Sequence, residues 1–334
     1  MPIPDSDTGK IFDMSTSPRP DLTAIRAAHD RIRPFIHRTP VLTCSAIDAM
    51  AGAKVFFKCE NFQKVGAFKF RGASNAVRSL SDDQAARGVV THSSGNHAAA
   101  LALAARQRGI PAYIVMPRNS PAIKKEAVAG YGGQITLCEP TQPAREAACA
   151  DLVQSTGANL VHPYDDYAVI AGQGTAALEL LEDVPDLNAV LTPVGGGGLL
   201  SGTLIAAKAL RPTIRVIGCE PALADDAAQS LREGRIVPAR PPVTIADGLR
   251  TSLGLKTFPI VRELVETIAL AEEAEIVSAL RTILERMKVV VEPSAAVPLA
   301  VLLNRPLKLA GARVGIILSG GNLDVSKLLL GVRE

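Results

Sequence analysis

The sequence has few aromatic residues and little net charge. It contains no tryptophan, and aromatic residues make up 4% of its 334 residues. Proteins that bind single-stranded nucleic acid stack bases on exposed aromatic rings, so this class is disfavoured. The formal net charge of +3 is small and indicates neither a nucleic-acid footprint nor a membrane-surface footprint. The longest apolar stretch, residues 98–105, is far shorter than the roughly 20 residues of a membrane span.

Cysteine and histidine are sparse, and their spacing excludes two further classes of protein. The five cysteines are an odd number without a CxxC pair, which favours reduced thiols in a cytoplasmic protein over a disulfide framework. The five histidines form neither an HxxxH nor an HExxH pattern, so the sequence does not support a zinc hydrolase. Hydrophobic residues at 47% and charged residues at 21% are typical of a globular protein and exclude a disordered chain.

Short strands rich in Val and Ile alternate with helices along most of the chain, which is typical of parallel α/β sheets. Two such series, separated near His162-Pro163, predict two α/β lobes with a cleft between them. The predicted strands are Val55–Phe57, Val89–Thr91, Ala112–Met116, Ile135–Cys138, Leu160–Val161, Ala189–Pro193, Arg215–Cys219 and Val314–Leu318. The predicted helices are one capped by Asp21, Ala98–Arg108, Ala122–Gly130, Ala144–Thr156, Gly174–Leu181, Leu199–Leu210, Glu272–Val289 and Ser294–Leu303.

Four consecutive glycines, Gly195 to Gly198, follow a predicted strand and precede a predicted helix. Without side chains this backbone can approach a ligand closely, and its N–H groups together with the helix N-terminus suit a phosphate. The run matches neither GxGxxG nor GxxxxGK(S/T), so it supports neither a dinucleotide nor a P-loop nucleotide. The alternative is a flexible turn, which the conformational entropy of four glycines disfavours.

Lys69 lies between two aromatic residues in the run Phe68-Lys69-Phe70. A lysine in apolar surroundings has a lowered pKa and can form a Schiff base. The same run fits a surface lysine in an alternating strand, with its apolar stem lying along the protein. By themselves these residues leave both interpretations open.

Two polar segments follow strands, at the edge where open α/β sheets bind ligands. Ser93-Ser94-Gly95-Asn96-His97 opens a helix, so its N–H groups and hydroxyls can hold a carboxylate, although a helix cap explains one of these residues equally well. Ser319-Gly320-Gly321-Asn322 follows the last predicted strand, and by itself it fits an ordinary turn.

An acidic segment follows another strand. Glu220 and Asp226, with the Ala224 carbonyl between them, can bind a hard divalent cation. A solvated acidic helix start explains the same residues.

Taken together and in this order, these segments resemble the fold type II pyridoxal-phosphate (PLP) enzymes, most of all the serine racemase and serine/threonine dehydratase group. The resemblance covers roughly residues 22–330. It rests on Lys58–Lys64, Gly66–Ala73, Ser93–His97, Gly195–Gly198 and Ser319–Asn322. It implies a tryptophan synthase β-like α/β fold with two open, twisted, mostly parallel sheets and helices on both faces. The expected divisions are a flexible tail at 1–20, a large PLP-binding domain at 21–87 and 166–334, and a small mobile domain at 88–165.

The resemblance also implies a role for each segment. Lys69 forms the Schiff base with PLP, and Ser94 faces it across the ring as a second catalytic residue. The further cofactor contacts are Phe68 on the ring, Asn96 at the ring hydroxyl, Gly195, Gly196, Gly197, Gly198 and Leu199 at the phosphate, and Ser319 at the pyridine nitrogen. The substrate contacts are Ser93, Ser94, Asn96 and His97 around the carboxylate, with Arg145 and Thr251 near the mouth. The Mg²⁺ or Ca²⁺ ligands are Glu220, the Ala224 carbonyl and Asp226, and a homodimer is expected.

These expectations predict a PLP-dependent ammonia-lyase that converts L-threonine and L-serine to 2-oxo acids and ammonia by β-elimination, with Lys69 as the base for the Cα proton. The alternatives are a serine racemase and a 3-hydroxyaspartate-type dehydratase. The latter needs a further cation in the pocket, for which Arg145 is the candidate. A phosphate-binding sensor module is disfavoured by Lys69 in its aromatic surroundings. A cysteine-synthase-like replacement enzyme is disfavoured by the pair Ser93-Ser94 and by the acidic segment.

Overall fold

The computed structural model describes residues 18–93, 95–240 and 243–324, and within these ranges the strands form two sheets. In chain order the strands are β1 (Val41–Leu42), β2 (Lys54–Cys59), β3 (Val89–His92), β4 (Ala112–Pro117), β5 (Gln134–Cys138), β6 (Asn159–Leu160), β7 (Ala189–Pro193), β8 (Arg215–Pro221), β9 (Thr267–Ala271) and β10 (Arg313–Leu318). The six-stranded sheet has the order β1-β2-β10-β7-β8-β9, and the four-stranded sheet has the order β5-β4-β3-β6.

Both sheets are parallel except at one edge. Only β1 runs antiparallel to its neighbour β2 among the described strands. In the middle of the larger sheet, Val314 on β10 lies opposite Val55 on β2 and Ala189 on β7. All five residues of β7 are buried. Burial on both faces explains why such strands are continuous apolar runs rather than alternating ones.

Helices cover both faces of each sheet. They are α1 (Leu22–Ile32), α2 (Ser45–Ala51), α3 (Lys69–Ser79), α4 (Asp82–Ala86), α5 (Asn96–Arg108), α6 (Ala122–Gly130), α7 (Gln142–Thr156), α8 (Tyr167–Asp183), α9 (Gly198–Leu210), α10 (Asp226–Glu233), α11 (Thr257–Leu264), α12 (Glu273–Thr282) and α13 (Pro293–Asn304). On the larger sheet, α1, α8, α9 and α11 share one apolar core, and α2, α12 and α13 share the other. On the smaller sheet, α3 and α5 contribute to one core and α7 to the other. The predicted fold class is therefore confirmed.

The segment around Lys69 is helical, so the alternating-strand interpretation is wrong. The helix α3 begins at Lys69, and its residues from Phe70 to Val77 are all buried. It packs against α8 of the larger unit and against α5 of the smaller one. Contacts on two sides bury a helical face here, which the Phe-Lys-Phe pattern alone does not predict.

Two other helices differ from their predicted extents. The helix predicted at Gly174–Leu181 begins earlier, because the Asp166 carboxylate caps α8 by accepting the Ala168 N–H at 2.7 Å. The helix predicted at Glu272–Val289 ends as α12 at Thr282. A π-helical turn follows it and stops at Lys288, whose φ is +60°.

The ends of the chain are described only in part. Residues 1–17 of the predicted tail lie outside the described residues, whereas Arg19 forms an ion pair with Glu263 on α11. The predicted domain boundaries and the mobility of 88–165 stay predictions. Within the described ranges, no helix combines the length and the apolarity that crossing a membrane requires.

Candidate active site

Lys69 lies beside the residues that follow β10, at the edge of the larger sheet. The Phe68 N–H donates to the Ser319 carbonyl at 3.0 Å, which holds the start of α3 in this position. The Lys69 Nζ donates to the Pro163 carbonyl at 2.8 Å. Burial lowers the pKa of Lys69 to about 8, although the nearby Glu292 opposes the shift. A pKa near 8 leaves a useful fraction of the amine unprotonated near neutral pH, as a nucleophile or a base requires.

Only one of the two flanking phenylalanines lies near the amine. The Phe68 ring centroid is 5.2 Å from the Lys69 Nζ. Phe70 is instead fully buried in the core between α3 and α5. Of the two phenylalanine rings that were predicted to surround Lys69, only the ring of Phe68 therefore lies near its amine.

The four glycines connect β7 to α9, and two of them cannot readily be another residue. Gly197 has φ +83°, in the left-handed region that favours glycine. A Cβ on Gly196 would lie 2.3 Å from the ring of Tyr164. Because α9 starts at Gly198, the loop offers free N–H groups at the positive end of a helix. Leu199, the last residue of the predicted cradle, is buried in the core.

A row of three rings joins the smaller sheet to this loop, and the sequence analysis did not identify it. His162 stacks edge-on against His92 at the end of β3, with ring centroids 5.5 Å apart, and against Tyr164 at 4.6 Å. Burial lowers the pKa of His162 to about 3, so its ring is neutral. Its Nδ1 accepts the Asp165 N–H at 2.9 Å. The polar run that begins at His162, two residues after β6, was the available signal in the sequence.

Glu292 is a buried carboxyl that the sequence analysis also missed. The Asn96 Nδ2 donates to both Glu292 oxygens, at 3.1 and 3.0 Å. The Asn322 Nδ2 donates to the Asn96 Oδ1 at 3.0 Å. Burial raises the pKa of Glu292 to about 7. An acidic residue directly after the apolar run Val289–Val291 was the only signal in the sequence.

The predicted carboxylate site is described in part, because Ser94 lies outside the described residues. The Ser93 Oγ accepts the Gly95 N–H at 3.3 Å, next to the start of α5. His97 is buried, and its Nε2 lies 3.3 Å from the Val161 carbonyl, so this nitrogen carries the proton. Burial also lowers the pKa of His97 well below its usual value. His97 therefore presents an acceptor at Nδ1 rather than the donor that a carboxylate needs.

Arg145 and Thr251 have different neighbours: Arg145 lies near His92, and Thr251 lies near the glycine loop. Burial lowers the pKa of His92, and the positive charge of Arg145, near the start of α7, adds to this shift. The Arg145 Nε is buried and has no hydrogen-bond partner among the residues that the structure describes. The Thr251 Oγ1 lies 3.3 Å from the position of a Cβ on Gly195, which places Thr251 against the glycine loop.

The sequence matches the family described as "Pyridoxal-phosphate dependent enzyme" over residues 32–320. The chain belongs to this family. A serine racemase of Arabidopsis thaliana is 52% identical over 313 residues, which cover 92% of this chain and 95% of the relative. A β-hydroxyaspartate dehydratase of Paracoccus denitrificans is 52% identical over 302 residues, which cover 90% of this chain and 96% of the relative. The solved structure of maize serine racemase has a TM-score of 0.91 and 49% identity, and the match covers 93% of this chain and 96% of that one.

A solved threonine deaminase from T.th. also matches, with a TM-score of 0.87 and 45% identity over 91% of this chain and 99% of that one. The prediction of a fold type II PLP enzyme is confirmed. The geometry fits this cofactor, because a glycine loop with free N–H groups, a lysine with a lowered pKa and the buried Ser319 lie at one edge of the sheet. The roles of the individual residues stay proposals.

The acidic segment differs from the solvated helix start that the sequence left open. Glu220 is fully buried on β8, and its two oxygens accept the N–H groups of Ala227 and Ala228 at 2.9 and 3.0 Å. Burial raises the pKa of Glu220 to about 9 and that of Asp226 to about 6. The Asp226 Oδ2 is buried and has no hydrogen-bond partner in the described part of the chain.

These observations fit a hard cation, because a divalent charge would offset two buried carboxylates and complete the partners of Asp226. No cluster of three or more His, Cys, Asp or Glu that could hold a metal occurs among the described residues. The expected cation site differs from such a cluster, because only two of its ligands are side chains, Glu220 and Asp226. The third ligand is the backbone carbonyl of Ala224.

Proposed function

We propose that this PLP-dependent enzyme inverts serine at Cα and removes the β-hydroxyl from serine and related 3-hydroxy amino acids. The observation that carries the proposal is the half-buried Lys69, with its pKa lowered to about 8, beside the phosphate cradle. Relatives named serine racemase that span nearly the whole chain support racemisation ahead of L-threonine and L-serine dehydration, which the sequence put first. Dehydration remains the second reaction of the same site.

Pyridoxal phosphate, when bound, supplies the electron sink for both reactions. The Lys69 amine takes the Cα proton of the substrate from its own side. The Ser93 hydroxyl and the free N–H groups at the start of α5 orient the substrate carboxylate. Inversion needs a second group that delivers a proton on the opposite side, and the family resemblance assigns Ser94 to this role.

A chiral assay of the purified holoenzyme tests the proposal. Wild-type protein should interconvert L- and D-serine and should also release ammonia from L-serine. In Ser94→Ala, serine racemisation should fall by roughly 100-fold or more, the usual effect of removing an acid or base, while L-serine elimination persists. If the wild-type protein releases ammonia from L-serine but forms no D-serine, the proposed racemisation is wrong and only the dehydratase activity remains.

A second candidate function is the dehydration of 3-hydroxyaspartate, and Arg145 is the observation that favours it. A β-carboxylate on the substrate needs a cation in the pocket, and the Arg145 Nε is buried without a partner among the described residues. The relative from Paracoccus denitrificans, named a β-hydroxyaspartate dehydratase, supports this candidate.

Arg145→Met separates the two candidates. If Arg145 binds a β-carboxylate, kcat/KM for 3-hydroxyaspartate should fall by roughly 10- to 100-fold, while the value for serine changes far less, since a hydrogen bond to a charged group is lost. Arg118→Met is a matched control, because Arg118 pairs with Glu139 at the surface. Equal losses on both substrates would show that Arg145 does not select the acidic substrate.

The proposal includes a structural Mg²⁺ or Ca²⁺ ion held by Glu220, the Ala224 carbonyl and Asp226. The support for it is the burial of both carboxylates and the unpaired oxygen of Asp226. Oxygen donors of this kind are typical of hard divalent cations.

A further inference from the structure

Gln173 has a fully buried side-chain amide without a partner. The residue lies on α8 and is 0% exposed. Neither its Nε2 nor its Oε1 makes a hydrogen bond to any described group. An unpaired buried amide is destabilising, and native structures nearly always provide a partner for one. The amide therefore has two donors and an acceptor available for a ligand.

Close packing of three helices places this amide beside the phosphate cradle. A Cβ added to Gly172 would clash with α3, and one added to Gly174 would clash with α9. Gln173 lies between these two glycines, and its Oε1 is 2.6 Å from the position of a Cβ on Gly198. The side chain thus reaches Gly198, which is the first residue of α9 and belongs to the cradle.

The same side chain also contacts the helix that carries the reactive lysine. The Gln173 Cγ lies 3.0 Å from the position of a Cβ on Gly72, which is in the first turn of α3. The amide therefore lies near the N-terminal ends of both α3 and α9. The start of α9 carries partial positive charge and free N–H groups, which favour an anion beside the amide.

We propose that Gln173 is a positioning residue of the phosphate site, whose amide donates a hydrogen bond to the phosphate of pyridoxal phosphate beside Gly198. A half-turn of the amide exchanges its nitrogen and oxygen without changing its shape, so the donor can face the cradle. This contact ties the cofactor to α8 as well as to α9. It concerns the cofactor of the family and does not depend on the proposed substrate.

The test compares phosphorylated with unphosphorylated cofactor. Gln173→Met keeps the length of the side chain and removes the amide. The dissociation constant of pyridoxal phosphate from the full-length protein should rise by roughly 10-fold or more, as expected when a charged hydrogen bond is lost. The dissociation constant of pyridoxal, which has no phosphate, should change by less than about 2-fold on the same grounds. The ³¹P resonance of the bound cofactor should shift in the variant holoenzyme.

Thr203→Val is the matched control, because Thr203 is also fully buried on α9 with a hydroxyl unpaired among the described groups. It should leave the ratio of the two dissociation constants unchanged. If Gln173→Met does not fold, Gln173→Glu has almost the same shape and places a carboxylate beside the phosphate. It should then weaken pyridoxal phosphate selectively. Equal weakening of both cofactor forms in the variant that folds, or unchanged affinity for pyridoxal phosphate, overturns the proposal.

Discussion

At the scale of single residues, burial shifts the pKa values of Lys69 and Glu292 in opposite directions. Burial disfavours the charged form of each group, so the pKa of Lys69 is lowered to about 8 and that of Glu292 is raised to about 7. The attraction between the two groups opposes the shift of Lys69 but does not cancel it. Near neutral pH both groups are therefore close to their titration points. Such a pKa suits the role that we propose for Lys69, which is to take up the Cα proton of the substrate.

Replacing Lys69 with alanine should abolish both racemisation and elimination. The variant loses the covalent link to the cofactor and the base in one change. The visible absorbance of the bound cofactor should disappear or move to that of the free aldehyde. Activity and spectra of the purified variant check this prediction, and turnover near the wild-type rate would contradict it.

Glu292 should make the stability of the protein depend on pH. Its folded-state pKa of about 7 exceeds the ordinary value of 4.5, so between these values the folded chain retains a proton that the unfolded chain has lost. The free energy of unfolding should therefore fall as pH rises from about 4.5 to 7, by at most about 3 kcal/mol for this group. Glu292→Gln cannot titrate and should lose this part of the slope.

Urea unfolding of both proteins at several pH values measures the difference between their slopes. Other buried carboxyls titrate in both proteins and cancel in the comparison. Parallel curves for wild type and Glu292→Gln would show that Glu292 does not titrate in this range.

At the scale of elements, a buried ionic network fixes the helix that begins with Lys69. Arg71 on α3 is fully buried and donates to Glu60 at 2.7 Å and to Glu179 on α8 at 2.8 Å. Lys58 on β2 donates to the same Glu179 at 2.7 Å. These attractions raise the pKa of Arg71 and lower that of Glu179. Since removing one member leaves a buried charge unpaired, the network holds α3, β2 and α8 in one arrangement.

The junction of β8 and α10 should depend on a divalent cation. Removing cations from the holoenzyme with a chelator should lower Tm and activity, and Mg²⁺ or Ca²⁺ should restore both. A cation that binds only the folded state stabilises it by mass action. Asp226→Asn should lose this response to added cation, because it removes a charged ligand. An unchanged Tm and rate after exhaustive chelation would refute the cation site.

At the scale of the whole molecule, the site is assembled where two sheets meet. The segment between β6 and α8 carries Pro163, which accepts from Lys69, and Tyr164, which covers Gly196. An ion pair of 2.8 Å between Lys124 on α6 and Asp247 also links the smaller unit to the larger one. Any movement of the smaller sheet would thus change the surroundings of Lys69 and of the cradle together.

The family resemblance leads us to expect a homodimer. Light scattering of the purified protein at micromolar concentration should give about twice the chain mass of 35.0 kDa. A mass equal to that of one chain, with full activity, would contradict this prediction.

The amino-acid sequence by itself determined the α/β class and the segments that form the site. Strands such as Ala189–Pro193 and helices such as Ala122–Gly130 occur where they were predicted, because their apolar patterns and flanking glycines act locally. The glycine loop and Lys69 could be identified for the same reason, since each motif is contained in a few consecutive residues.

Only the tertiary structure decided which distant residues complete the site. Asn96 meets Glu292 across 196 positions of the chain, and Lys69 meets Pro163 across 94. The sequence does not show that Gln173 is buried beside Gly198, because this contact depends on the packing of α8 against α9. Local patterns carry no information about such contacts, and the pKa of a carboxyl such as Glu220 depends on burial that the whole fold creates. The candidate residues of the site therefore lie in short motifs of the sequence, whereas their pKa values and their long-range contacts depend on tertiary packing.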